Sequence, residues 1–144
     1  MMLRRTFCHA PVLALAGVSA AVAADELLPP EQAFKMALGP TTASAVQIKF
    51  LSAPGYYLYA DRFSFEVEGT EVRVVDVQMP PGATKYEAIF SRNVTYFRGL
   101  MVVTLNLSGP PVPFKLTVRA QGCADAGVCY PPVGRTFNVG RRNT

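Results

Sequence analysis

Histidine and cysteine are scarce in this 144-residue chain, and both shortages narrow the chemistry open to it. The single histidine is His9, and the three cysteines are Cys8, Cys123 and Cys129. Catalytic triads, Cys–His pairs and the usual zinc and blue-copper sites all need an imidazole. A glycine-rich phosphate loop is also missing. Once a segment carrying His9 is removed, the remaining chain has none of these systems.

The N-terminal segment has the parts of a secretory signal peptide. Arg4 and Arg5 precede an apolar, alanine-rich stretch that ends in small residues suited to cleavage, Ala21-Val22-Ala23-Ala24. The apolar stretch is short for a membrane span, so an uncleaved anchor is the less favoured alternative. We therefore predict a signal peptide over residues 1–24 and one exported domain over residues 25–144.

Basic residues are too few for a nucleic-acid-binding surface. The chain has 14 Lys and Arg against 10 Asp and Glu, and Arg4 and Arg5 lie in the predicted signal peptide. The excess of two that remains is accounted for by Arg141 and Arg142 at the C-terminus. No basic face is indicated, and no nucleic-acid partner is expected.

The exported part reads as short strands separated by turns. Apolar and polar residues alternate, and Pro-Gly and Gly-containing segments divide the runs. The predicted strands are centred on residues 46–50, 56–59, 63–67, 72–77, 94–97, 100–107, 114–118 and 136–139. No convincing amphipathic helix accompanies them. This pattern predicts an all-β fold, an antiparallel β-sandwich, without a second domain.

Residues 121–132, Gln-Gly-Cys-Ala-Asp-Ala-Gly-Val-Cys-Tyr-Pro-Pro, predict a tight loop that brings two thiols together. Gly122 and Gly127 can adopt positive φ, and two prolines stiffen the exit. In an oxidising compartment a disulfide between Cys123 and Cys129 is the default state. So short a loop gives a modest covalent staple, worth about 2–3 kcal/mol or less. The residues alone leave a structural disulfide and a redox centre about equally favoured.

The same twelve residues resemble the active-site segment of the N-terminal periplasmic domain of the DsbD thiol:disulfide interchange family. Three further segments resemble that family in the same order, at residues 28–34, 55–59 and 75–80. The last of them resembles the strand that leads to the family's cap loop. The resemblance favours a redox-active pair over a structural disulfide.

The resemblance implies an immunoglobulin-like sandwich whose cysteines alternate between dithiol and disulfide. By position, Cys129 would attack the partner and Cys123 would resolve the mixed disulfide. Phe90 matches the cap-loop phenylalanine that shields the pair, and Tyr57 and Tyr59 match aromatic residues beside it. The implied partners are thioredoxin-like periplasmic proteins, such as disulfide isomerases and cytochrome c maturation proteins, and a membrane electron-transfer partner. No cofactor, metal or small-molecule substrate is implied.

Two features bear on the reactivity of the thiols. Asp125 is the only ionisable residue between the cysteines, and a nearby carboxylate disfavours a thiolate, as an apolar setting does. We therefore expect a free dithiol that reacts slowly until a partner docks. Ala88 and Ile89 stand where the family carries acidic residues before the phenylalanine, so electrostatic tuning by that loop does not carry over.

Two alternatives belong to other classes of function. One is a secreted binding or chaperone-like sandwich with a purely structural disulfide. The other is a periplasmic metal-handling domain that uses thiolates and methionines. The chain could also be a stand-alone module or a piece of a longer protein.

Overall fold

The computed structural model describes residues 26–140, so the predicted signal peptide lies outside the described residues. The elements are α1 (Pro30–Ala33), β1 (Phe34–Thr41), β2 (Ala45–Ser52), β3 (Tyr56–Tyr59), a 3₁₀ turn (Ala60–Arg62), β4 (Ser64–Val67), β5 (Arg73–Gln78), β6 (Ala83–Glu87), β7 (Arg92–Phe97), β8 (Leu100–Ser108), β9 (Phe114–Ala120), β10 (Gly122–Ala124) and β11 (Val133–Val139). No helix within this range is long and apolar enough to cross a membrane.

The strands form three antiparallel sheets. Their orders are β1-β2-β8-β5, β10-β3-β7-β6 and β11-β9-β4. Every pairing between neighbouring strands in these sheets is antiparallel. The architecture confirms the predicted all-β, immunoglobulin-like antiparallel sandwich.

The core lies between the sheets and is filled by alternate residues of the strands. Val46, Ile48 and Phe50 of β2 are buried, and their neighbours along the strand are mostly not. β8 and β9 show the same alternation, and their buried residues join β2 in one apolar cluster. Successive side chains of a strand point to opposite faces, so this alternation gives each sheet one apolar face.

β3 departs from this pattern because all four of its residues are buried. Tyr56 and Leu58 belong to the main core, whereas Tyr57 and Tyr59 pack in a second cluster with Cys123. The sheet that contains β3 is therefore covered on both faces. Its outer face carries the second cluster, and this places the cysteines beside buried tyrosines.

Three strands were not predicted from the sequence, and each has a physical reason. β1 contains Gly39 and Pro40, which normally argue against a strand, and its register with β2 shifts at that point. β6 is an edge strand with mostly exposed residues, so it has no apolar alternation. β10 has three residues, too few for a periodic signal. β6, rather than β5, leads directly into the predicted cap loop.

Candidate functional site

The two cysteines face each other across a short hairpin. Cys123 and Cys129 form an antiparallel bridge and a disulfide, with their Cα atoms 4.0 Å apart. The backbone N–H of Ala124 donates to Val128 O at 2.7 Å, and that of Tyr130 donates to Gly122 O at 3.0 Å. These bonds flank the cysteines on either side, so the cysteines occupy a non-hydrogen-bonded pair, the closer of the two antiparallel arrangements. The predicted tight loop is confirmed.

The two glycines of the loop do different work. Gly127 has a φ of 89° and ends the turn, in which its N–H donates to Ala124 O at 3.0 Å. Gly122 does not use the positive φ that glycine permits. It is needed because an added Cβ would lie 2.1 Å from the carbonyl oxygen of Tyr57 on β3. Glycine at this position lets β10 approach β3 closely.

The cysteines differ sharply in exposure. Cys123 is 1% exposed and packs with Tyr57, Tyr59 and Val94. Cys129 is exposed, and so is its neighbour Val128. An incoming thiol or disulfide therefore meets Cys129 first, because access controls thiol–disulfide exchange as much as thiolate content does.

Tyr59 connects the buried sulfur to a carboxylate. Its hydroxyl oxygen lies 3.2 Å from Cys123 Sγ and donates its proton to Glu87 Oε2 at 3.0 Å. The same carboxylate oxygen accepts from Lys85 Nζ at 3.1 Å. The hydrogen bond from Lys85, and then that from Tyr59, lowers the pKa of Glu87. Burial raises the pKa of Tyr59, and interactions with Tyr57 and Glu87 raise it further.

The predicted cap loop is the turn at residues 88–91 between β6 and β7. The Phe90 ring packs edge-on against Tyr59, with ring centroids 5.6 Å apart. The guanidinium groups of Arg62 and Arg92 lie 5.1 Å and 5.6 Å from the centre of the Phe90 ring. Phe90 thus covers the cluster that buries Cys123. Cys129 stays exposed in this structure, so the shielding of the pair is one-sided.

Asp125 does not act as a free carboxylate beside the cysteines. It accepts two hydrogen bonds from Arg98, at 2.7 Å and 3.1 Å. These bonds lower the pKa of the Asp125 carboxyl and raise that of Arg98. The expected effect of Asp125 on the thiols is therefore offset by a neighbouring cation that the loop sequence does not contain.

Cations also cover the tyrosines of the site. Lys85 Nζ lies 3.7 Å from the centre of the Tyr57 ring, and the Arg98 guanidinium lies 5.2 Å from it. Tyr96 packs against Tyr57 and is approached by the same two cations. Such contacts hold cationic side chains over aromatic faces.

The structure brings together Cys123, Tyr57, Tyr59 and Phe90. It adds three residues that sequence reasoning missed, Lys85, Glu87 and Arg98. Lys85 and Glu87 alternate along β6 and face the same side, a signal that would have been visible had β6 been recognised. Ala88 and Ile89 occupy positions that are acidic in the family, and here Glu87 places a carboxylate beside Tyr59 instead. Nothing in the sequence around Arg98 pointed to the site.

Comparison with known proteins decides the family. The profile of the family described as the N-terminal part of the thiol:disulfide interchange protein DsbD matches residues 24–141. The chain belongs to the DsbD N-terminal domain family. It is 39% identical over 117 residues to the thiol:disulfide interchange protein DsbD of Ralstonia nicotianae, a match that covers 81% of this chain and 19% of that protein. It thus spans about a fifth of the length of such a DsbD relative.

Two solved DsbD structures from Neisseria meningitidis resemble the fold. The N-terminal domain in the reduced form has a TM-score of 0.71 and 30% sequence identity, and the match covers 79% of this chain and 90% of that one. The complex between the DsbD N-terminal and the PilB N-terminal domains gives a TM-score of 0.67 and 31% identity, covering 80% and 88%. Membership of the DsbD family and the disulfide-bonded pair together support a redox role.

Between residues 26 and 140, no group of three or more His, Cys, Asp and Glu side chains is arranged to hold a metal ion.

Proposed function

We propose that this domain relays reducing equivalents to exported proteins, acting as a protein-disulfide reductase through the Cys123–Cys129 pair. The observation that carries the proposal is the asymmetry of the pair: Cys129 is exposed, and Cys123 is buried against Tyr59. A purely structural disulfide has no need of one accessible half. An exchange centre needs one sulfur for the partner and a second, protected sulfur to complete the reaction.

The exchange proceeds in two balanced steps. The Cys129 thiolate attacks one sulfur of the partner's disulfide, forming a mixed disulfide while the partner's other sulfur leaves and takes up a proton. The Cys123 thiolate then attacks Cys129 Sγ, which forms the internal disulfide and releases the second partner thiol. Two electrons and two protons have then passed from the domain to the partner. A donor dithiol restores the domain by the same steps in reverse.

We place the domain in the periplasm and its partners among thioredoxin-like proteins. The solved complex of the relative with the PilB N-terminal domain supports docking of another protein on this fold. Val128 beside Cys129 and Ile89 beside Phe90 expose apolar surface, and Arg98 and Lys85 add charge. The electron donor is a membrane partner that works through a thioredoxin-like domain.

Trapping tests the roles of the two cysteines. Cys8 is replaced by serine in every variant, so that only the site contributes thiols. Reduced Cys123→Ser and Cys129→Ser proteins are mixed with an oxidised thioredoxin-like periplasmic protein and separated on non-reducing gels. We expect a stable mixed disulfide with Cys123→Ser and little with Cys129→Ser, because Cys129 is the accessible sulfur. Equal trapping by both variants, or none by either, would contradict the proposal.

Equilibration of the wild-type pair with glutathione buffers separates a relay from a staple. A relay must lie between its donor and its acceptors in potential. A reduction potential below roughly −300 mV would identify the pair as a structural disulfide.

A further inference from the structure

We propose that Glu87 is a positioning residue that fixes the Tyr59 hydroxyl as a hydrogen-bond acceptor toward Cys123, so that the undocked, reduced domain holds Cys123 as a neutral thiol. This inference rests on the proposed function, in which the pair cycles through a dithiol. It assigns a role to a carboxylate that lies outside the cysteine loop.

The first step of the argument concerns a single proton. A tyrosine hydroxyl has one proton to donate and two lone pairs that can accept. Glu87 Oε2 takes that proton at 3.0 Å, and Lys85 keeps the carboxylate ionised from 3.1 Å. The lone pairs of the Tyr59 oxygen remain for the sulfur 3.2 Å away. Tyr59 can therefore accept from Cys123 but cannot donate to it.

The second step follows from the redox state of the sulfur. In the disulfide, Cys123 Sγ carries no proton, so the contact with Tyr59 contains no hydrogen bond. Reduction by a partner dithiol breaks the S–S bond and adds two electrons and two protons, one of them to Cys123. The new S–H can donate to the Tyr59 oxygen. A Cys123 thiolate would instead face lone pairs inside a site that is 1% exposed at the cysteine. Both the missing donor and the burial favour the neutral thiol.

Among residues 26–140, the other charged and polar groups near Cys123 interact with one another and make no polar contact with its sulfur. Lys85 is engaged by Glu87 and lies over the Tyr57 ring, and Arg98 is engaged by Asp125. The rings of Tyr57 and Tyr96 pack edge-on against each other and beneath the cations, and the Tyr57 hydroxyl interacts with Tyr59 and Glu87. Tyr59 is the only group for which the structure gives a polar contact with Cys123 Sγ within the described residues.

The third step connects the hydrogen bond between Tyr59 and Glu87 to the docking of a partner. Glu87 ends β6, and Phe90, three residues later, packs on the ring of the same Tyr59. A partner that moves this hairpin off Tyr59 therefore removes both the cover and the proton acceptor. The hydroxyl is then free to turn and donate to a Cys123 thiolate. Resolution of the mixed disulfide by Cys123 would accordingly speed up only in the complex.

The test measures the pKa of one thiol without any partner. In a Cys8→Ser, Cys129→Ser chain, Cys123 is the only thiol, and its pKa follows from the pH dependence of iodoacetamide alkylation in the folded protein. We expect Glu87→Ala to raise the thiolate fraction at neutral pH roughly tenfold or more, because the freed hydroxyl can donate to a charged sulfur. Glu66→Ala, which removes a carboxylate paired with Arg119 on the sheet of β11, β9 and β4, is the matched control and should change it little.

A Tyr59→Phe background separates the effect of the Tyr59 hydroxyl from the effect of removing the Glu87 charge. In Tyr59→Phe, Glu87→Ala should lose most of its effect. An equal effect with and without the hydroxyl, or no effect in either background, would overturn the inference. Neither result would bear on the relay, which is judged by trapping and by the reduction potential of the wild-type pair. If no partner is trapped but the pKa of Cys123 shifts as expected, the relay is overturned and the role of Glu87 stands.

A measurement on the intact pair guards against disturbance by the serine substitution. Tyr59→Phe removes the hydrogen bond that only the dithiol can make. The equilibrium with glutathione should shift toward the disulfide about 2- to 13-fold. A tenfold shift corresponds to about 30 mV for this two-electron couple. An unchanged equilibrium, or a shift toward the dithiol, would contradict the proposed hydrogen bond.

Discussion

Replacement of Phe90 by alanine should make the buried cysteine more reactive without greatly loosening the domain. Phe90 covers Tyr59 through one edge-on ring contact at 5.6 Å, and Tyr59 in turn reaches Cys123. An aromatic pair of this kind is worth about 0.5–1.5 kcal/mol beyond the area that it buries. If that energy holds the cover closed, its loss increases the open population by about 2- to 13-fold.

Alkylation of Cys123 measures this opening. The protein carries Cys8→Ser and Cys129→Ser, and the rate with iodoacetamide is divided by the thiolate fraction obtained from the pH profile. The corrected rate should rise by the same 2- to 13-fold factor in Phe90→Ala, because the reagent reaches the sulfur only when the cover is open. Urea denaturation of the same variant should show a loss of roughly 1 kcal/mol, since Phe90 is only half-buried.

The matched control is Tyr86→Ala on the same hairpin. Tyr86 is 65% exposed and belongs to neither apolar cluster, so its loss should leave the rate unchanged. An unchanged rate in Phe90→Ala, or an equal rise in Tyr86→Ala, would refute the view that Phe90 is the cover. A rise that matches the rate of the urea-unfolded chain would show global unfolding instead.

Three further substitutions test the framework of the site. Gly122→Ala should destabilise the domain by about 1–3 kcal/mol in urea, because its Cβ meets the β3 backbone at 2.1 Å; wild-type stability would contradict this account. Arg98→Ala should cost at most about 1 kcal/mol, because both ion-pair partners are exposed. The pKa of Asp125 is lower in the folded state than in the unfolded state. The stability difference between wild type and Arg98→Ala should therefore be present above about pH 4 and disappear as the pH falls through the folded-state pKa. A stability difference that persists in acid would exclude the ion pair as its source. Tyr56→Phe removes the hydroxyl that accepts from Leu28 N–H at 2.8 Å, so it should cost about 1 kcal/mol and speed proteolysis near Leu28; unchanged cleavage would show that this bond does not hold the segment.

The sandwich and its cysteine loop could be predicted because the relevant signals are local. Alternation at Val46, Ile48 and Phe50 reports one buried face directly, and all three residues are core residues in the structure. Gly127 takes the positive φ that a turn of this length needs. These features depend on a few neighbouring residues and not on the arrangement of distant strands.

The electrostatics of the site could not be predicted because they depend on pairings across the fold. Arg98 meets Asp125 across 27 positions, and Tyr59 meets Glu87 across 28. The carboxylate of Asp125 therefore reads as a free charge in the sequence and as half of an ion pair in the fold. The cap loop likewise reads as lacking a carboxylate, because Glu87 contributes from the end of a strand that has no apolar alternation.

The two backbone hydrogen bonds that flank the cysteines have a consequence for repeated turnover. Ala124 and Tyr130 donate across the hairpin on either side of the sulfurs, so opening the covalent link leaves two non-covalent ties in place. The mouth of the site should keep its shape in both oxidation states, and each cycle then costs no rebuilding of the loop. The same domain can therefore react with many partners in succession without refolding its cysteine loop.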